Sequence, residues 1–273
     1  MNAEKRIQLL SIWPTEPVIE PIAAGRTNRN FMVKCGEQKY FARLGHDLPS
    51  HRINRAIEAR CALFAAQYDV APAVQYAKNG IIVTDYIEGR TLKIDDANNP
   101  AMMEQVAKQL AILHTVPIPE NISFFDPADS TKFYLESLSP EKLGKNERKK
   151  IEAIIGSTPK IEPTSLIHAD LIPENIIDDG KRLWFIDWEY SGIGHPAVDL
   201  AFIAMNFELS GFQIDSLVEL HGDLNPELVR SLRLVIIARE ALWSLVQLQV
   251  DDTPKGDLVE YSHKCLRRLE MEM

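Results

Sequence analysis

Apolar and polar positions change their period twice along the chain. Residues 3–10 read as a short helix, which Pro14 and Pro17 close. The pattern then becomes short-range, and residues 18–24, 29–35, 39–44, 73–76 and 80–85 predict five strands, the first three antiparallel. One helical stretch interrupts them, residues 52–68, with Ile53, Ile57, Cys61 and Phe64 on a single stripe and Glu58 beside it. Alternation in the third strand puts Arg43 on the same face as Phe41, where an apolar side chain is expected. From Pro100 onward the spacing is helical. Met103, Val106, Ala107, Leu110 and His114 share one face of a helix that ends before Val116-Pro117, and His114 reads as a capping or dipole-favoured residue near its C-terminus. Residues 117–140 read as an irregular loop, and further helices are expected over 145–155, 212–220, 226–250 and 257–271. The pattern predicts an α+β chain: a β-rich lobe over residues 1–88 with one main helix, then a larger, mainly helical lobe over 89–273.

The densest chemistry lies in residues 164–189. An apolar strand ends at His168, a tight polar loop carries Asp170 and Asn175, and a short apolar hairpin turning at Asp178-Asp179-Gly180 delivers Asp187. Two carboxylates brought to one place beside an amide repel each other, and a divalent cation removes that repulsion. Hard oxygen ligands are what Mg²⁺ takes. Upstream, the polar turn over residues 24–30, with Thr27, Asn28 and Asn30, is able to present backbone N–H groups to phosphate, although it also suits an ordinary hairpin. Residues Asp85, Tyr86 and Ile87 end the β-rich lobe, where a crossing strand offers backbone groups to an adenine edge in an interlobe cleft. Asp199 falls in the first turn of a helix, as a cap or as a hydrogen-bonding partner of the loop at 168–175.

Composition narrows the function classes. The 273 residues are 45% hydrophobic and 25% charged, enough for a sizeable core. A formal net charge of −9 argues against nucleic acid and against an anionic membrane as partner, since both select basic surfaces. Cys35, Cys61 and Cys265 are unpatterned, without a Cys-x-x-Cys pair, so reduced thiols in the cytoplasm are expected. The N-terminus lacks the apolar core of a signal peptide, and the most apolar run, residues 232–250, is interrupted by Arg233, Arg239 and Glu240, which argues against a membrane span. Basic residues over 145–150 and at Lys264, Arg267 and Arg268 read as solvated helix faces.

His168-x-Asp170-x-x-x-x-Asn175, followed by a strand and Asp187, resembles the catalytic loop of protein kinases. With Asp187-Trp188-Glu189-Tyr190-Ser191-Gly192, Asp199-Leu200-Ala201, Thr27-Asn28, Asn30, Arg43, and Arg55 with Glu58, the chain resembles the choline/ethanolamine kinase branch of the aminoglycoside phosphotransferase superfamily, from about residue 21 to 206. The resemblance implies a two-lobed protein-kinase-like fold and transfer of the γ-phosphoryl group of ATP, with Mg²⁺, to a small-molecule hydroxyl. It implies Asp170 as catalytic base and Asn175 and Asp187 as metal ligands. Arg43 would be held by Glu58 and reach the nucleotide phosphates. Arg stands at 43 where protein kinases carry Lys, which keeps the charge and adds bidentate reach.

The implied acceptor is a cationic amino alcohol, choline first, then thiamine or ethanolamine; an aminoglycoside, with its several ammonium groups, fits the C-terminal charges less well. A cation without N–H bonds calls for an aromatic wall and a carboxylate, and the candidates are Glu189, Tyr190, Phe207, Glu208 and Trp243, beside Asp170 itself. Asn206 stands where the family carries an acceptor carboxylate, with Glu208 two residues on. The rival reading is a nucleotide-binding module without transfer activity.

Overall fold

The computed structural model describes residues 2–22, 28–222, 224–250 and 256–272. Helix α1 (Ala3–Gln8) is capped by Asn2 and precedes strand β1 (Val18–Ile22). Strands β2 (Arg29–Cys35) and β3 (Gln38–Leu44), helix α2 (Arg55–Ala66), and strands β4 (Val74–Lys78) and β5 (Ile81–Asp85) follow. The strands form an antiparallel sheet in the order β1-β2-β3-β5-β4. A small apolar core on this sheet joins Ile7, Phe31, Val33, Ala42, Ile81 and Val83. The expected turn over residues 24–30, including Thr27, falls largely outside the described residues. Helix α2 starts at Arg55 and not at Arg52, because Arg52 is left-handed (φ 57°) while the Asn54 side chain accepts the N–H groups of Ala56 and Ile57.

The rest is mainly helical: α3 (Pro100–Thr115), α4 (Pro127–Ser137), α5 (Lys145–Ser157), α6 (Ala197–Asn206), α7 (Gly211–His221), α8 (Pro226–Val250) and α9 (Gly256–Glu272). Short strands β6 (Arg90–Thr91), β8 (Ile176–Asp178) and β9 (Leu183–Phe185) form one small sheet, and β7 (Ser165–Ile167) pairs with β10 (Gly192–Gly194). Helix α8 is the central post, packed against α4, α6 and α9. One large core runs from Val106 and Leu110 through Phe185, Phe202 and Ile236.

Helix α4 corrects the expectation of an irregular loop over 117–140. Its proline is not a breaker but the first helical residue, where a missing N–H costs nothing, and the side chain of Asp126 caps it by accepting the N–H of Asp129. Thr131 and Tyr134 are buried on this helix, and Thr131 Oγ1 donates to the carbonyls of Pro127 and of Val235 on α8. Among the described residues no helix is long and apolar enough to cross a membrane.

Candidate active site

The loop after β7 is shaped by a buried carboxylate. Asp199, on the first turn of α6 and fully buried, accepts the backbone N–H groups of His168 (2.9 Å) and Ala169 (2.8 Å). Ala169 takes a left-handed conformation (φ 60°), which an alanine holds only where its surroundings over-determine it. His168 is buried and donates from Nε2 to the carbonyl of Ile186, and burial lowers its pKa, which keeps the ring neutral. The His114 side chain is buried as well, with Nε2 3.0 Å from Asp199 Oδ2 and Nδ1 2.8 Å from His221 Nε2. His114 lies in the last turn of α3 as expected, and it does more than sit at a helix end: the ring braces the carboxylate that braces the loop.

Asn175 and Asp187 leave the two ends of the β8–β9 hairpin side by side, because the N–H of Ile186 bonds the carbonyl of Asn175 at 3.0 Å and carries the ladder one step past the strands. Asp187 is also left-handed (φ 65°). The amide nitrogen of Asn175 donates to the Asp170 carbonyl at 2.9 Å, so the amide oxygen is the group on offer to a cation. Asp170, Asn175 and Asp187 line one cavity of about 870 Å³ between the β-rich and helical parts. Among the described residues no group of three His, Cys, Asp or Glu side chains forms a ready-made metal cage. Two protein oxygens with room beside them suit Mg²⁺, which keeps much of its shell for water and phosphate.

From the sheet side, Arg43 reaches both Glu58 and Asp187. Arg43 and Glu58 are buried, 5% and 2% exposed, so each charge is compensated by a partner and not by water. Arg55 bridges Glu58 (2.7 Å), Glu189 (2.9 Å) and Asn28 Oδ1 (2.7 Å), and Asn28 donates to Glu189 at 3.1 Å. Asn28 and Glu189, expected at the nucleotide and at the acceptor, thus meet in one polar clamp between the sheet and the segment after β9. Burial, then the charge of Asp187, pushes the Glu189 carboxyl up, with Arg43 and Arg55 opposing. Asp85, Tyr86 and Ile87 line the same cavity, and Asp85 Oδ1 accepts from Gln75.

The acceptor candidates separate. Tyr190 and Trp243 line the cavity and are joined by a 2.8 Å bond from the indole N–H to the phenol oxygen. Phe207 is buried (1% exposed) in the large core. Asn206 donates to the Leu171 carbonyl, and Glu208 is held at the rim by Lys264, which lowers its pKa. Lys264 and Arg268 therefore serve as cavity wall, not only as a solvated face.

The carboxylate whose charge acts most strongly on Asp170 is Glu240, which lines the same cavity. Burial, then Glu240, drives the Asp170 pKa well above the usual carboxylate range, Arg239 pulls the other way, and Asp187 and Glu189 add to the rise. Arg239 and Glu240 were visible in the sequence only as charges interrupting the apolar run 232–250; two adjacent charges in the middle of a buried helix were the available signal. Tyr134 and Tyr261, packed near them, carried none.

Known proteins are similar to this chain in sequence and in fold. The chain is 31% identical over 203 residues to the LicA protein of Haemophilus influenzae, a match spanning 71% of this chain and 60% of that protein. It is 25% identical over 213 residues to mouse ethanolamine kinase 1, spanning 68% of this chain and 57% of the kinase. The chain thus spans about three-fifths of these curated relatives. The crystal structure of the choline kinase LicA from Streptococcus pneumoniae superposes with a TM-score of 0.76 at 20% identity, covering 93% of both chains, which shows the two-lobed fold in common. The model of the phosphotransferase enzyme family matches residues 18–232, a span that holds the paired Arg43 and Glu58, the braced loop at Asp170 and the hairpin that sets Asn175 beside Asp187. By that match, the chain belongs to the phosphotransferase enzyme family.

Proposed function

We propose that the protein is an ATP- and Mg²⁺-dependent kinase that transfers the γ-phosphoryl group to the hydroxyl of a small amino alcohol, with the nucleotide held mainly by residues 1–88 and the acceptor by 89–273. The observation that carries this reading is the convergence of Asp170, Asn175 and Asp187 on one cavity that Arg43 and the strand end Asp85–Ile87 enter from the opposite side. Asp170 takes the proton of the acceptor hydroxyl as its oxygen bonds the γ-phosphorus and the bond to the β-phosphate oxygen breaks, releasing ADP. Its raised pKa makes it a stronger base than a surface aspartate. Asn175 and Asp187 would hold Mg²⁺, which when bound offsets the charge of the phosphates. Arg43, kept in place by Glu58, directs its guanidinium to the phosphates. Choline and ethanolamine are the acceptors named for similar kinases.

The test is ATP consumption with choline, ethanolamine and thiamine side by side, for the wild type and for Asp170→Asn. The variant should bind Mg-ATP as tightly as the wild type and lose at least about 10²-fold in kcat, the scale of general-base catalysis. Turnover of the variant at the wild-type rate refutes the assigned base. Binding of Mg-ATP with no turnover of any alcohol favours the module without transfer activity.

A further inference from the structure

The acceptor end of the cavity already contains a cation, and it is the protein's own. Arg239, near the middle of α8, is 1% exposed yet borders the cavity. Its guanidinium carbon lies 4.6 Å from the ring centre of Tyr190, 5.6 Å from that of Tyr134, and 5.7 Å from those of Phe125 and Phe202. Four aromatic rings around a positive charge are the device that recognises a quaternary ammonium. Here the device is filled. Nε donates to Ser130 Oγ at 3.2 Å and Nη1 to Glu240, while Nη2 has no hydrogen-bond acceptor among the described residues. Moving the guanidinium out of the rings strands Glu240 as a buried charge, so the box does not empty readily for a ligand.

The cavity beside Asp170 joins aromatic and polar groups. Glu240 Oε2 accepts from the hydroxyl of Tyr261 at 3.2 Å, and Glu240, Tyr261 and Trp243 line the cavity. Two carboxyl groups, Asp170 and Glu240, line this end against the single guanidinium of Arg239, an arrangement that suits one further cationic group. A carboxylate that is only partly satisfied rewards an ammonium with N–H bonds to donate, whereas a trimethylammonium has none and relies on aromatic faces, of which Arg239 already covers that of Tyr190.

We propose that Arg239 is a specificity-determining residue: its guanidinium fills the aromatic box, so the site takes a primary-ammonium alcohol, held through N–H donation to Glu240, and discriminates against a quaternary one. This rests on the reading of the cavity as the acceptor site of a kinase. The test measures kcat/KM for ethanolamine and choline, and calorimetric binding of both to the protein with Mg-ADP, in the wild type, in Arg239→Met and in the double variant Arg239→Met/Glu240→Gln, which leaves no unpaired buried carboxylate.

The wild type should favour ethanolamine by roughly tenfold or more, and both variants should move the ratio toward choline by about tenfold as the rings are freed. A wild type that favours choline, or treats the two alike, overturns the proposal, as does failure to bind either. A preference for ethanolamine in binding, with no phosphoryl transfer to any alcohol, supports the assigned specificity while the kinase reading falls. Turnover of another acceptor, with neither of these bound, does the reverse.

Discussion

The strongest lever on the site is Asp199→Asn, which changes one atom without changing the side chain's shape. One oxygen, Oδ1, accepts the N–H of Ala169, while the other accepts the N–H of His168 and faces His114. The cheaper amide orientation keeps its oxygen on the busier side and turns NH₂ against the Ala169 N–H. A hydrogen bond to a charged acceptor contributes about 1.5–3 kcal/mol, and an unsatisfied buried N–H costs about 1–3 kcal/mol, overlapping terms that together suggest a loss of about 3 kcal/mol. That is a sizeable part of the 5–15 kcal/mol typical of a folded domain.

The loss should register as a lower urea midpoint and as reduced exchange protection of the Ala169 amide. Because Asp170 is the next residue, relaxation of the loop should also lower kcat by about 10²-fold, the penalty of a misplacement of about 1 Å. A variant within about 0.5 kcal/mol of the wild type, with the Ala169 amide still protected, would show that these two bonds do not order the loop.

Other perturbations address separate parts of the site. Glu58→Ala leaves Arg43 and Arg55 without their shared carboxylate and should cost about 3–5 kcal/mol in denaturant unfolding, with a raised KM for ATP; an unchanged KM would detach this pair from nucleotide binding. The raised pKa of Asp170 means that its base form is lost as pH falls through a value above the ordinary carboxylate range, which sets the acid limb of kcat. Removing the negative neighbour in Glu240→Gln should move that limb to lower pH, and an unmoved limb in a pH–rate profile would count against Asp170 as the titrating group. Gly89→Ala should destabilise the join between the two parts, since a Cβ there would meet the Asp178 carbonyl oxygen at 2.4 Å and a backbone atom cannot turn aside; an unaltered melting temperature would contradict that.

Much of the fold was legible because its signals are local. Alternation fixed the strands near Arg29–Cys35 and Ile81–Asp85, and the 3.6-residue period fixed α3 and α8 to within a residue or two. The misread region, 117–140, shows where local rules fail. Pro127 has the same chemistry whether it ends a helix or opens one, and burial against α8 decided which. The spacing from His168 to Asp187 likewise named the polar groups that meet in the cavity, since a tight loop and a short hairpin allow few geometries.

What the chain order could not disclose was which distant charges face one another. Glu58 beside Arg43 was anticipated through the family resemblance, but Arg55 with Glu189, His114 with Asp199, and Arg239 within four rings bring together residues far apart in the chain or on separate elements. The amino-acid sequence by itself determined the elements and the identity of the polar loop. Only tertiary structure decided which distant buried charges pair, because their energies depend on the water removed around them, and no residue's immediate neighbours record that.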